Sequence, residues 1–299
     1  MEDQKRISSA SPQSRGVLYA VIAAITYGMN PLFALPLYGE GFNVDSVLFV
    51  RYLPAALFLC ALVLLRGESL RLTVKEFAGS VLCGLLFALT SFFLFLSYTK
   101  MDAGIASTLL FVYPVMVAPI MLFVFHERMG LTTILCILLS CIGVGLLCRT
   151  AEGGFLSIAG IVYALLSALT YALYLITVNR LPWIQKIGAG KLTFYVVLFC
   201  LIFFLVRIGG GMSFKGSFTP FVCLNIAGLS LISTAASIGF TSLALPRLGA
   251  TGTSIIGALE PLTAVFFGVA VFHEVLTVRI VLGIILILVS VVLVALDRR

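Results

Sequence analysis

The chain has 299 residues, of which 61% are apolar and only 10% charged, with a mean hydropathy of +1.19 and a net charge of +7. Soluble domains usually carry about 25% charged residues, so a water-soluble globule is excluded and an all-α integral membrane protein is predicted. Alternating strands of about ten residues, the pattern of a membrane β-barrel, do not occur.

Ten apolar runs follow one another, at 16–38, 45–65, 77–97, 103–124, 131–148, 159–178, 192–206, 221–243, 250–271 and 280–296. Each has about the length that crosses a hydrocarbon core of about 30 Å at about 1.5 Å per residue. The connections between them are too short for a soluble domain. The first run follows a short polar tail without a small-residue cleavage site, and reads as an uncleaved anchor. That tail does not resemble an organelle transit peptide, so a bacterial inner (plasma) membrane is the expected location.

With the amino terminus in the cytoplasm, thirteen of the 19 basic residues, among them Lys5, Arg6, Arg128, Arg298 and Arg299, fall on inner segments. Five fall outside: Lys100, Arg149, Arg207, Lys215 and Arg279. The positive-inside rule then puts both termini in the cytoplasm. The positive balance reads as topology and contact with anionic lipid, and no solvent-facing basic patch is written for a nucleic-acid partner. All seven cysteines, Cys60, Cys83, Cys136, Cys141, Cys148, Cys200 and Cys223, lie in apolar runs with no CxxC pair. They read as small packing groups, with no metal site or cofactor implied.

The chain repeats itself. "GVLYAVIAAITYG" from Gly16 returns as "GIVYALLSALTYA" from Gly160, an offset of 144 with six of the thirteen positions identical. "AGIASTLLFVYPVMVAPIMLFVFHE" from Ala103 returns at an offset of 147 as "ATGTSIIGALEPLTAVFFGVAVFHE" from Ala250, keeping Ser107/Ser254, Pro114/Pro261, His126/His273 and Glu127/Glu274. Two five-helix repeats, 1–150 and 156–299, are therefore expected. Five is odd, so the second enters the membrane from the opposite side. Inverted repeats about an axis in the membrane plane are a transporter architecture, because the two halves support inward-open and outward-open states around a central site.

The paired helices "PVMVAPIMLFVFHE" and "PLTAVFFGVAVFHE", with "YTKMDAGIAS" leading into the first, resemble the EamA-like branch of the drug/metabolite transporter superfamily. The resemblance covers nearly the whole chain. It implies ten transmembrane helices as two inverted five-helix repeats, a central cavity, and alternating-access movement of small organic metabolites. Amino acids or related solutes, exported, are the expected cargo for a protein acting as a monomer. A uniporter or exchanger of sugar phosphates or nucleotide sugars is the alternative.

Several residues are candidates for that cavity. Tyr27 and Asn30 share one helix face at a spacing of three, as do Tyr171 and Tyr174 in the second repeat. The competing reading makes the tyrosines interfacial belt residues. Arg51 is the one basic residue well inside a run; it either snorkels outward or clamps an anionic group with its planar fork. Asn30 lies at a similar depth, so the two are expected to frame the cavity's outer half. Glu260 lies about 15 Å along its helix from the cytoplasmic side. A carboxylate near the midplane costs several kcal/mol unless paired, solvated or protonated, which makes Glu260 a candidate for substrate binding and proton coupling. A packing role bonded to neighbouring hydroxyls stays open. Pro261 frees the carbonyl near Gly257 and marks a hinge. Its counterpart Pro114 follows Tyr113, so the symmetry is broken at the centre by a tyrosine facing an acid. Thr26, Thr170, Ser107 and Ser254 read as small helix contacts. The pairs His126-Glu127 and His273-Glu274 sit at helix ends on opposite membrane faces, each Glu expected to favour the start of the following helix. No HExxH, P-loop or GxSxG occurs, and no enzyme is expected. A channel would need a repeated filter or a ring of like charges.

Overall fold

The computed structural model describes residues 12–126, 130–147, 157–209 and 218–297, and these residues form helices with no strand. Glu127, Arg128, Arg149, Lys215, Cys148 and the terminal basic residues Lys5, Arg6, Arg298 and Arg299 lie outside the described residues. In chain order the first half holds α1 (Pro12–Gly28), α2 (Asn30–Gly39), α3 (Val44–Leu65), α4 (Val74–Tyr98), α5 (Ala103–Leu110), α6 (Tyr113–Phe125) and α7 (Leu131–Leu147). The second holds α8 (Ile158–Arg180), the short α9 (Pro182–Gln185), α10 (Ala189–Ile208), α11 (Pro220–Ala227), a π-helical segment (Gly228–Ala236), α12 (Ser237–Gly257), α13 (Leu259–Phe272) and α14 (Val278–Asp297). Seven helical spans among the described residues are long and apolar enough to cross a membrane, and Ile134–Leu147, Leu259–Phe272 and Val278–Leu293 are shorter apolar helices.

Local chemistry sets the helix ends. Asn43 starts α3 by accepting from the Ser46 N–H at 2.8 Å. Thr73 and Glu76 form a reciprocal capping box at α4, and Thr219 starts α11 by accepting from Val222. The two His-Glu pairs stop helices. His126 and His273 take left-handed backbone angles, φ 53° and 57°, at the ends of α6 and α13. A polar residue tolerates that region better than a branched apolar one, which accounts for a histidine at both copies.

Three expected single helices are broken. The run 16–38 divides at Met29 into α1 and α2, 103–124 at Phe111 and Val112 into α5 and α6, and 250–271 at Ala258 ahead of α13. Each break precedes a proline, Pro31, Pro114 or Pro261, whose ring removes a donor from the ladder. The run 221–243 is also modified, by the π-helical turn. The expected gap between 243 and 250 carries helical assignment through Ser237–Gly257, yet the chain reverses there. Ser237 bonds the Ala23 carbonyl, and a Cβ on Gly16 would meet Arg247 and Leu248. Glu260 and Thr263 then stand beside Gly28, back along α1.

The halves interdigitate. α1 packs along α12, α4 along α8, α10 against both α3 and α4, and α7 along α14. The α4–α8 crossing carries a hydroxyl seam: Thr90 and Thr170 lie 3.0 Å apart, and Ser167 donates to the Thr90 carbonyl at 2.6 Å. Such pairs satisfy polar groups where lipid offers no partner. Among the described residues six cysteines carry free thiols.

Candidate functional site

The three helix breaks meet. Between them lies a cleft of about 260 Å³, lined by Tyr27, Gly28 and Asn30 at the first break, Ser107, Leu110 and Phe111 at the second, and Glu260 and Pro261 at the third. Leu94 and Tyr98 of α4 complete it. Both halves of the chain therefore contribute to one wall. Space open to the centre of a water molecule is only about 20 Å³, room for one or two waters. The site is constricted, and an organic solute fits only if its walls part.

Gly28 sets how closely those walls approach. A Cβ there would stand 2.5 Å from the Glu260 carbonyl oxygen and 2.6 Å from the Thr263 Cβ, so α1 and α13 cross at a contact that only glycine permits. Beside it, Asn30 is 1% exposed and neither its amide nitrogen nor its oxygen has a hydrogen-bond partner. Buried polar side chains are bonded in the large majority of cases. Tyr98 and Ser107 pair hydroxyl to hydroxyl at 3.1 Å on the opposite wall. Among the described residues no donor bonds the Glu260 carboxylate. The packing role, in which neighbouring hydroxyls hold this acid, has no support in its contacts.

Arg51 does not snorkel. It is 1% exposed, its Nε donates to Thr234 Oγ1 at 2.8 Å, and its guanidinium lies 5.3 Å from the Tyr52 ring and 5.2 Å from the Phe95 ring. Thr234 in turn donates to the Leu229 carbonyl, the five-residue step of the π turn, at 2.9 Å. A π turn inside a helix recurs at functional positions; here it brings a hydroxyl to the arginine. Arg51 backs the cleft without lining it, so it does not frame an outer half with Asn30.

Tyr113, Tyr171 and Tyr174 do not line the cleft either. They continue it as an aromatic ladder. Phe111 meets Tyr113 edge-on at 5.7 Å, Tyr113 meets Tyr171 at 4.6 Å, Tyr171 stacks on Tyr174 at 5.8 Å, and Phe87 closes the far end 5.3 Å from Tyr174. Edge-to-face and offset contacts of this kind are favourable. Leu94, Tyr98, Ser107 and Phe111 were not anticipated as a wall. Ser107 carried a signal, its recurrence as Ser254, whereas Tyr98 at the end of its helix carried none. Thr26 bonds its own helix at the Ile22 and Ala23 carbonyls, and the side chain of Ser254 lies outside the described ones.

Glu274 corrects an expectation. It caps no following helix; its carboxylate accepts from the Ala103 N–H at 2.7 Å and the Gly104 N–H at 3.1 Å, at the start of α5 in the other half. Burial raises its pKa above the usual carboxylate range, these two bonds oppose the shift, and neighbouring Asp102 adds to it. No group of three or more metal-ligating side chains occurs among the described residues. The arrangement offers binding groups: the Asn30 amide, the Glu260 carboxylate and the Tyr98 and Ser107 hydroxyls.

Comparison with known proteins agrees with this architecture. A solved structure with 19% sequence identity superposes with a TM-score of 0.64, covering 95% of this chain and 98% of that one, and shares its fold. An uncharacterized transporter of Clostridium kluyveri is 24% identical over 288 residues, 92% of this chain and 91% of that protein. An uncharacterized inner membrane transporter of Salmonella typhimurium is 25% identical over 295 residues, 95% and 96% of the two chains. The model of the EamA-like transporter family matches twice, over residues 14–149 and 158–296. With those two matches spanning nearly the whole chain, it belongs to the EamA-like transporter family, part of the drug/metabolite transporter superfamily, and is a multi-pass membrane protein.

Proposed function

We propose that this transporter moves small organic metabolites, amino acids or related solutes, out of the cell by alternating access. Two inverted halves, 1–150 and 156–299, supply ten membrane-crossing helices, with both termini in the cytoplasm of a bacterial inner membrane and the monomer as the working unit. The observation that carries the reading is the cleft itself: Tyr27 and Asn30 from one half face Glu260 and Pro261 from the other across a space too small for a solute at rest. Broken helices at a repeat interface are where transporters bind cargo and bend. Pro114 and Pro261 act as the hinges, and the aromatic ladder of Tyr113, Tyr171 and Tyr174 extends the binding surface. Glu260 binds the solute and couples transport to protons, its carboxyl exchanging a proton as the cavity alternates. A sugar-phosphate carrier would offer its cations to the cleft, whereas Arg51 is engaged by Thr234 and by the Tyr52 and Phe95 rings behind the wall.

Counterflow in proteoliposomes tests the reading. Protein loaded with an unlabelled panel of amino acids should take up labelled solute from outside, at a rate that Tyr27→Ala and Asn30→Ala lower by weakening apparent affinity. Exchange confined to phosphorylated sugars would remove the amino-acid reading, and turnover of solute without transbilayer movement would remove transport.

A further inference from the structure

A proline inside a helix leaves one carbonyl without its donor and leaves no N–H over, because the missing donor is its own. Helix breaks made by proline are therefore rich in acceptors. Pro54 shows the consequence in this chain: the Val50 carbonyl it would deprive accepts a hydrogen bond from the Ser230 hydroxyl at 3.1 Å. Pro31, Pro114 and Pro261 stand four residues after Tyr27, Leu110 and Gly257, so those carbonyls, at the ends of the helix parts before each break, meet no N–H at that position either. These three positions flank the breaks that meet at the cleft: Tyr27 and Leu110 line it, and a Cβ on Gly257 would lie 4.0 Å from a Glu260 carboxylate oxygen. No side-chain donor among the described residues has been brought to any of them.

The same cleft holds the carboxylate of Glu260, without a donor, and the amide of Asn30, without any partner. The residues at the breaks keep right-handed helical or near-helical angles, Met29 at φ −77°, ψ 0°, Val112 at φ −72°, ψ −12° and Ala258 at φ −58°, ψ −14°. The two parts of each broken helix thus stay nearly continuous. The one nearby cation, Arg51, is spent on Thr234 and on the Tyr52 and Phe95 rings. The available space, one or two waters in size, matches a small charged group and not a bulky one.

We propose that the three proline breaks build a site for a small monovalent cation, either the primary ammonium group of the transported solute or a free alkali ion. Glu260 supplies the charge, and the Asn30 oxygen and the deprived carbonyls of Tyr27, Leu110 and Gly257 supply the remaining acceptors. The solute arm rests on the transport reading; the cation site itself does not.

The test uses the purified full chain, without transport, and reads its thermal unfolding midpoint at constant ionic strength in sodium, ammonium, methylammonium or tetramethylammonium chloride. A saturable rise with ammonium and methylammonium, with or without sodium, assigns the site to a solute's ammonium group; a rise with sodium alone assigns it to an alkali ion. Tetramethylammonium, which has no N–H and exceeds the space, should give none. Glu260→Gln should abolish the rise. Pro261→Ala, which returns an N–H to the Gly257 carbonyl and keeps the charge, should weaken apparent affinity about fivefold, the worth of one polar contact. Pro261→Ala decides the matter if Glu260→Gln does not fold. No saturable rise with any small cation, an equal rise with tetramethylammonium, or a rise unchanged in the variants that fold would overturn the proposal. Absence of counterflow for every solute would defeat the transport reading while leaving a measured cation site standing.

Discussion

Asn30 and Glu274 are both polar groups withdrawn from water, and their surroundings treat them oppositely. Glu274 receives two backbone N–H groups from the start of α5, whereas Asn30 receives nothing from the protein. The first arrangement is structural. Glu274→Ala should lower stability by about 1–2 kcal/mol, the cost of losing a helix cap, with Glu274→Gln losing less, measured by thermal unfolding in detergent. Because burial raises the pKa of this carboxyl, its linkage to stability is fully present below the ordinary carboxylate value and is lost as the pH rises through the raised one. Arg51 donates from Nε to the Thr234 hydroxyl inside the bundle. Thr234→Val should therefore destabilise by about 1–3 kcal/mol, since a buried charged donor loses its partner without the side chain changing size. These roles were legible to different degrees. The His-Glu repeat announced helix ends, but the helix that Glu274 caps lies 171 positions away in sequence, and nothing local points to it.

At the scale of elements, Gly28 and the prolines decide the site. An added methyl at Gly28 meets the Glu260 carbonyl oxygen and Thr263, so Gly28→Ala should destabilise by about 1–3 kcal/mol through overpacking and should part α1 from α13. Gly39, where nothing lies within 4 Å of a built Cβ, is the control; Gly39→Ala should be neutral or slightly stabilising. Unfolding midpoints of the two variants check the pair. Hydropathy gave the runs in the sequence because lipid requires long apolar helices with satisfied backbones. The break ahead of Pro261 is legible in the sequence, since a missing N–H is a property of the residue itself. Pro31 offered the same signal and its break went unread. The π turn at Gly228–Ala236 had no such signal: its five-residue step is held by Thr234, which is also the acceptor for Arg51 from another helix. The aromatic ladder was half legible, for the Tyr171–Tyr174 spacing was visible and the approach of Tyr113 from α6 was not.

At the scale of the whole molecule, α10 acts as a ruler between the two ends of the bundle. Near its start, Lys191 donates to the Arg71 carbonyl at 2.5 Å and Tyr195 bonds the Leu70 carbonyl, fastening it to the connection between α3 and α4. Near its finish, Arg207 forks onto Asp45, with contacts of 2.5 and 3.0 Å, at the connection between α2 and α3. The rise from Lys191 to Arg207 is about 24 Å at helical pitch, close to the thickness of a hydrocarbon core. The two connections therefore lie on opposite sides of any membrane the bundle crosses. Charge sets the expected sides: the segment 66–75 carries Arg66, Arg71 and Lys75, whereas 39–44 carries Glu40 and no basic residue, and the positive-inside rule predicts the basic segment on the cytoplasmic face. In a variant freed of its seven cysteines, Glu40→Cys should react with a membrane-impermeant thiol reagent added to intact cells, and Ser69→Cys only after the membrane is opened. Both positions are exposed in the fold, so failure to react reports the membrane and not burial. Labelling of Ser69→Cys from outside with Glu40→Cys protected would invert the orientation, and labelling of both from outside would break the link between α10 and the span it measures.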